Sequence, residues 1–335
     1  MDSVRHKHAV PLMAAVAAVV LVAATIAATL MGSSSVSFAD LAALVSGGQI
    51  SDAAKSILIN VRFPRVLAAL LAGAALATSG ALIQAVLDNP LASPNIIGIN
   101  SGAGLFVLLA ASLFPGLLWL PPLAAFCGAL VAALIIFGIA LGANTSRLMV
   151  VLAGIAITSI FGAGINTILI INPDAYIGSA TFLVGGLSGV LMTSLVWPAI
   201  YIVGGASLAF LCAGKLNIMA LGDETAHALG MHVGRTRMAL LGLAAALAGA
   251  AVSFAGLLGF VGLIIPHLVR FFVGHDNRFV LPLSAALGAA FVVFCDLLAR
   301  VLFAPYEVPV GILMAFLGGP FFIYLILKNR RVNLD

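Results

Sequence analysis

NVRFPRVLAALLAGAALATSGALIQAVLDNPLASPNIIGINSGAG, residues Asn60 to Gly104, sets the plan of this chain. Arg62 and Arg65 flank a proline at its start, Val66 to Val86 carries no charge, and Asp88-Asn89-Pro90 closes the run. A bilayer core about 30 Å thick is crossed by about 20 apolar residues, so this stretch predicts one membrane crossing with a marked mouth at either end. Gly73, Ala74, Ala75, Ala77, Ser79, Gly80 and Ala81 put small residues on more than one face of the helix. Neighbours can then approach it closely, which places it inside a bundle.

The rest of the chain has the same character. Of 335 residues, 63% are hydrophobic and 8% charged, and the mean hydropathy is +1.24, where a soluble domain carries about a quarter charged. The predicted fold class is an all-α polytopic membrane protein, one transmembrane domain over residues 1–335 with about ten helices. They fall near residues 9–31, 62–84, 96–114, 120–141, 148–171, 195–213, 236–257, 261–273, 280–303 and 309–327. The first apolar run is longer than a signal-peptide core and lacks a small-residue cleavage site, so a retained helix is expected. Cys127, Cys212 and Cys295 sit in apolar runs without metal or redox spacing and read as small core residues.

Lysine and arginine set the expected orientation. With the N-terminus inside, Arg5, Lys7, Arg147, Lys215, Arg235, Arg237, Arg270, Arg278, Lys328, Arg330 and Arg331 fall on the inner side, against Lys55, Arg62, Arg65 and Arg300 outside. Both termini are therefore expected in the cytoplasm. The net charge of +4 reflects this topology, with no call for nucleic acid. Gly73-Ala74-Ala75, Gly80 and Pro90 recur at an offset of 176 as Gly249-Ala250-Ala251, Gly256 and Pro266, which suggests an inverted repeat of the kind transporters use.

Arg62-Phe63-Pro64-Arg65, Gly80, Asn89-Pro90-Leu91-Ala92-Ser93-Pro94, Gly98 and Gly102 open a series of motifs. It continues through Thr145-Ser146-Arg147, Leu216-Asn217, Leu229-Gly230, Gly259-Phe260-Val261-Gly262, Pro266-His267, Arg270, Asp276, Pro282, Asp296, Arg300 and Glu307 to Gly311. The resemblance that this series carries is to the FecCD family, the permease subunits of ABC importers for ferric siderophores, haem and vitamin B12. It implies a BtuC-like homodimer of ten-helix subunits in a bacterial or archaeal cytoplasmic membrane. Two ATP-binding cassette subunits would sit below, holding the ATP and magnesium, and a soluble or lipid-anchored substrate-binding protein would dock above. No catalytic residue, cofactor or metal is expected in this chain itself. Nor does it carry a Gly-x-x-x-x-Gly-Lys-Ser/Thr loop, since Gly214-Lys215 runs on to Leu216.

The resemblance also assigns sites. Arg62, Arg65 and Arg300 are implied to meet acidic residues of the binding protein, where rim charge steers a partner and fixes its register; Arg300 could instead pair with Asp296, four residues back on one helix. Residues 214–237 form the longest polar inner loop, within which Leu216, Met219, Leu221, Ala226, Leu229 and Val233 can make an apolar stripe. The family reading makes this stretch a pair of coupling helices for the ATPase, with Leu221, Gly222, Ala226, Leu229 and Gly230 at the matching positions. Asn89 and Leu91, with Thr145 and Ser146, are implied as an inner gate, although Asn-Pro is also a turn former and Thr or Ser a helix cap. Residues 176–190 are implied to include a short helix lining the vestibule beside helices five and ten, and Met314 stands where many relatives have threonine.

His267, after Pro266, reads as a structural hydrogen-bonding residue, and none of the six histidines is expected on the outer side. Two rival classes find little support. An ion-coupled secondary transporter needs carboxylates or histidines buried in mid-membrane, and Asp296, near a helix end, is the one candidate. Gly186-Leu187-Ser188-Gly189 has the form of a serine-protease motif, but His267 is expected at the opposite side of the membrane. The reading that follows is import of a ferric siderophore, with haem and cobalamin as alternatives.

Overall fold

The computed structural model describes residues 2–32, 37–48, 50–117, 119–142, 147–304 and 306–332. Ten long helices account for most of them: α1 (Asp2–Leu30), α4 (Phe63–Leu87), α5 (Ile99–Leu113), α6 (Leu120–Gly142), α7 (Arg147–Ile171), α9 (Met192–Leu211), α12 (Val233–Ala255), α13 (Val261–Val273), α14 (Asn277–Val301) and α15 (Val310–Val332). Between them lie short helices: α2 (Phe38–Ser46), α3 (Asp52–Ser56), α8 (Pro173–Val184), α10 (Ala213–Met219) and α11 (Asp223–Ala228). Among the described residues, seven helices are long and apolar enough to cross a membrane. Three shorter apolar ones, Ile99–Leu113, Val261–Val273 and Val310–Tyr324, occupy the other positions expected from hydropathy.

The bundle is built around α4. Its apolar window is 83% buried, against 11% for α1 and 17% for α7, and it packs against α14, α12, α13 and α9. The small residues explain how. A Cβ on Gly73 would overlap the carbonyl of Gly288 in α14, and one on Gly80 would overlap that of Gly262 in α13. Backbones this close gain dispersion contacts along their whole length, the chief attraction between helices in lipid. Ser79 adds a polar tie, donating to the Ala244 carbonyl of α12 at 2.6 Å.

Both ends of α4 are specialised. A π-helical turn, Ile57–Arg62, feeds its N-terminus, and π segments of this kind are enriched at functional sites. Its C-terminus stops at Asp88, which takes the left-handed conformation with φ 47°. The chain then turns through residues 89–98 to Gly98, also left-handed, at the start of α5.

Of the positions in the suggested repeat, Gly73 and Gly249 both lie inside long helices, α4 and α12. Gly80 lies within α4 whereas Gly256 caps the end of α12, and Pro90 is in a turn whereas Pro266 is inside α13. The three cysteines are free thiols, but only Cys295 is core; Cys127 faces outward from α6. Met314 is fully buried within the helix bundle.

Candidate functional site: two ends and a face between them

At one end of the bundle the three arginines converge, turned inward. Arg62 is 3% exposed, Arg65 6% and Arg300 3%. Arg62 Nη1 donates to the carbonyls of Thr29 and Leu30 at 2.6 and 2.7 Å, and Arg300 donates to those of Ala28 and Met31 at 3.1 and 3.3 Å. Ala28, Thr29 and Leu30 supply the last carbonyls of α1, and Met31 follows directly; carbonyls at a helix C-terminus lack intrahelical partners and carry the negative end of the dipole. Two cations therefore meet this end of the helix.

Asp296, also buried, neutralises part of this charge. Its carboxylate accepts from Arg65 Nε at 3.0 and 3.1 Å, from Arg65 Nη2 at 3.0 Å and from Arg300 Nε at 3.1 Å. The pairing of Arg300 with Asp296 along one helix is thus present, and the one candidate for an ion-coupling carboxylate is occupied by two guanidiniums. Arg65 reaches outward as well, donating from Nη1 to Glu307 Oε2 at 2.6 Å. Ser188, the serine of the protease-like motif, donates to the same Glu307 oxygen at 3.2 Å.

The opposite end holds residues 212–232. α10 and α11 form where the coupling pair was expected, with Gly222 and Gly230 both left-handed at φ 97° and 82°. The expected stripe is split between two directions. Leu216, Met219 and Ala226 are buried against the chain, whereas Leu221 and Leu229 are 60% and 62% exposed. Burial of the inner set fixes the two short helices, and the outer leucines form an apolar surface. Asn217 fastens the pair to the bundle: its amide donates to Asp276 at 2.6 Å and its carbonyl oxygen accepts from the backbone and side chain of Asn277, both at 2.9 Å. Asp276 itself caps α14 by accepting from the Arg278 backbone N–H at 3.0 Å.

Between the ends runs a face bordered by α7 and α15. Asn89 and Leu91 line a cavity of about 420 Å³ with Asn95, Ile155, Thr158, Ser159 and Phe322. Asn95 also lines a second cavity of about 470 Å³, with Asn100, Ser101, Ile165, Val184, Phe260, Gly311 and Ile312. Neither lining contains a charged, histidine or cysteine side chain. Asn89 makes the turn that its sequence suggests, its side-chain oxygen accepting from the Leu91 N–H at 2.9 Å, and both residues remain on the cavity wall. Thr145 and Ser146 lie outside the described residues. α8 forms the short helix expected within residues 176–190, and its final residue, Val184, reaches the second cavity.

Sequence reasoning passed over three linkages. Glu307 stood in a motif without a role; the joining of α10 to α14 by Asn217 gave no local signal; and Arg270, near the loop end, donates to the Gln84 side chain and, at 3.1 Å, to the Ala81 carbonyl. Each pairs residues dozens to hundreds of positions apart. His267 packs its ring edge-on to Phe321, with centroids 6.3 Å apart.

A bundle of apolar helices, with an uncharged face between a cationic end and a pair of surface helices, is the plan of a multi-pass transport permease. The chain belongs to the FecCD transport family, whose model matches residues 9–328; these proteins are transport permease subunits of ABC importers, non-enzymatic, with the ATPase on a separate subunit. Among its relatives are the hemin transport system permease protein HmuU of Yersinia pestis, 39% identical over 93% of this chain and 94% of that one. The ferric enterobactin transport system permease protein FepD of Escherichia coli is 35% identical over 93% of each. A solved structure described as an inward-facing metal-chelate type ABC transporter superposes with a TM-score of 0.84 at 28% identity, covering 95% of this chain and 99% of that one.

Proposed function

We propose that this chain is the membrane permease of an ATP-driven importer that moves an iron chelate, a ferric siderophore in the first instance, across the cytoplasmic membrane by alternating access. The observation that carries this reading is the uncharged face between α7 and α15. Its two cavities offer asparagine, serine, threonine and apolar side chains but no ligand for iron. Such a wall lets a bulky chelate slide without a deep energy well, and a complete chelate needs no coordination from the protein.

In this reading two copies meet across that face and form the pathway between them. Both termini are cytoplasmic. A pair of ATPase subunits seats on α10 and α11, with Leu221 and Leu229 as the apolar contacts, Ala226 buried beneath them and Gly222 and Gly230 setting the turns. Asn89 and Leu91, with Thr145 and Ser146, narrow the inner mouth. The binding protein docks at the arginine end, where Arg62, Arg65 and Arg300 outnumber Asp296 and Glu307 and leave a positive potential for acidic lobes. ATP binding moves the short helices, and a bistable helix packing converts that movement into opening at one end or the other.

A second reading, haem as the substrate, is favoured by the 39% identity to the hemin permease of Yersinia pestis. Uptake into vesicles separates the two. The assembled transporter is offered labelled ferric siderophores, haem and cobalamin, each with a binding protein that holds it. ATP-dependent accumulation of a ferric siderophore is expected; accumulation of haem alone transfers the assignment to haem, and solute uptake driven by an ion gradient without ATP removes the importer reading.

A further inference from the structure

Arg65 poses a difficulty for the docking just proposed, because its side chain is only 8% exposed and is held from two sides. The two holders are not alike. Asp296 lies beneath, 2% exposed, and is gripped by Arg65 and by Arg300. Glu307 lies above, 32% exposed, and meets Arg65 through Nη1. A buried charge pair of the first kind cannot be opened without stranding an ion away from water, whereas a solvent-touching pair of the second kind exchanges partners readily.

We propose that Glu307 is a resident counter-ion that a carboxylate of the docking binding protein displaces from Arg65, and that this exchange loosens the outer walls of the pathway. The occupant must itself be a carboxylate, since a neutral group would leave the Arg65 fork short of the charge that now offsets its desolvation. The inference rests on the docking reading above and deepens it.

Displacement has somewhere to go. Glu307 Oε2 accepts from Ser188 as well as Arg65, so a single oxygen ties α4 to the loop after α8 and to the segment that leads into α15. The loop after α8 meets the start of α15 again where the Gly311 N–H donates to the Gly185 carbonyl at 3.0 Å. Gly311 and Val184, on either side of that contact, line the larger cavity, and a Cβ on Gly311 would overlap the Val184 carbonyl. Releasing Glu307 thus removes one of the fastenings that hold α8 against α15, at the point where the substrate would enter.

The test uses the whole transporter, permease with its ATPase, in lipid nanodiscs, and titrates a fluorescently labelled cognate binding protein. Glu307→Gln removes the competitor and is expected to tighten docking by about tenfold, the size of one charge-assisted contact. Ser188→Ala changes no charge and is expected to tighten it by a smaller factor. Asp52→Asn, an exposed acid on α3 at the same end, is expected to leave the affinity unchanged. Weaker or unaltered binding by Glu307→Gln overturns the exchange, and so does an equal gain from Asp52→Asn, which would be bulk electrostatics. Spin labels at the exposed positions Met192 and Tyr306 supply an independent reading: their separation should broaden on docking in the parent protein and be broad beforehand in Glu307→Gln, and a separation that docking leaves unchanged also overturns it. Arg65→Lys, checked for folding by thermal unfolding, distinguishes the levels. If it docks as the parent does, the docking reading has failed; if it docks poorly while Glu307→Gln gains nothing, only the exchange has.

Discussion

Asn217 on α10 donates its side-chain amide to Asp276, the residue that caps α14, at 2.6 Å. α14 spans 25 residues and carries Asp296 and Arg300 near its far end. One helix, α14, therefore touches both α10 and the arginine cluster. Asn217→Ala removes hydrogen bonds to Asp276 and Asn277 and is expected to lower thermal stability modestly, by about 1 to 2 kcal/mol. Its larger effect is expected on coupling: transport per ATP hydrolysed should fall several-fold in proteoliposomes, because α10 can then move without α14. An unchanged ratio would show that this linkage only holds the loop in place.

Close helix contact makes a sharper prediction about size. Gly80→Ala puts a methyl group into the Gly262 carbonyl, and Gly73→Ala does the same at Gly288. Each should destabilise the detergent-solubilised protein by about 1 to 3 kcal/mol, the usual cost of overpacking. Gly242→Ala, in α12 with no heavy atom within 4 Å of the added carbon, should be neutral. Equal melting temperatures for all three would mean that α4 can shift away from its neighbours at little cost.

The contrast between these glycines marks what was legible beforehand. Hydropathy located all ten long helices to within a few residues at most ends, because membrane thickness imposes a length that sequence must meet. Gly73 and Gly80 announced close packing through their spacing alone. The partners, Gly288 and Gly262, were invisible, since nothing local records which helix lies opposite. The same holds for charge: Arg62, Arg65 and Arg300 were recognisable as a set, yet their inward direction depends on the carbonyls of α1 and on Asp296. Counting charges by loop treated them as surface groups; the unsatisfied end of a neighbouring helix drew them in. The coupling stripe failed for a related reason, as a short helix resting on a bundle has two apolar faces, one for each neighbour.

Asp296 is the keystone of that cluster, so its loss should cost more than the loss of either arginine's outer contact. Asp296→Asn keeps the shape but leaves Arg65 and Arg300 buried with one carboxylate between them, that of Glu307. Breaking a buried ion pair from one side costs about 3 to 5 kcal/mol. Thermal unfolding should register a loss of that order, whereas the paired change Asp296→Leu with Arg65→Met should recover only the share owed to Arg65, since buried Arg300 still lacks its carboxylate. A double variant as unstable as the sum of its parts would mean the two residues act independently, against the geometry at 3.0 Å.

Leu221 and Leu229 test the surface at the other end. Both are more than half exposed, while Ala226, between them in sequence, is fully buried. An aspartate at either leucine should leave the chain folded, because the side chain already faces away from the bundle, yet it should weaken association with the ATPase by introducing charge into an apolar contact. Co-purification with the ATPase is expected to drop sharply for Leu221→Asp and Leu229→Asp, with melting of the isolated permease unaltered. Ala226→Asp should instead lower the melting temperature, since its carboxylate would have to enter the packed interface between α11 and the bundle. If all three variants retain the ATPase, the subunit that drives this permease binds elsewhere, and α10 and α11 are only a connection between helices.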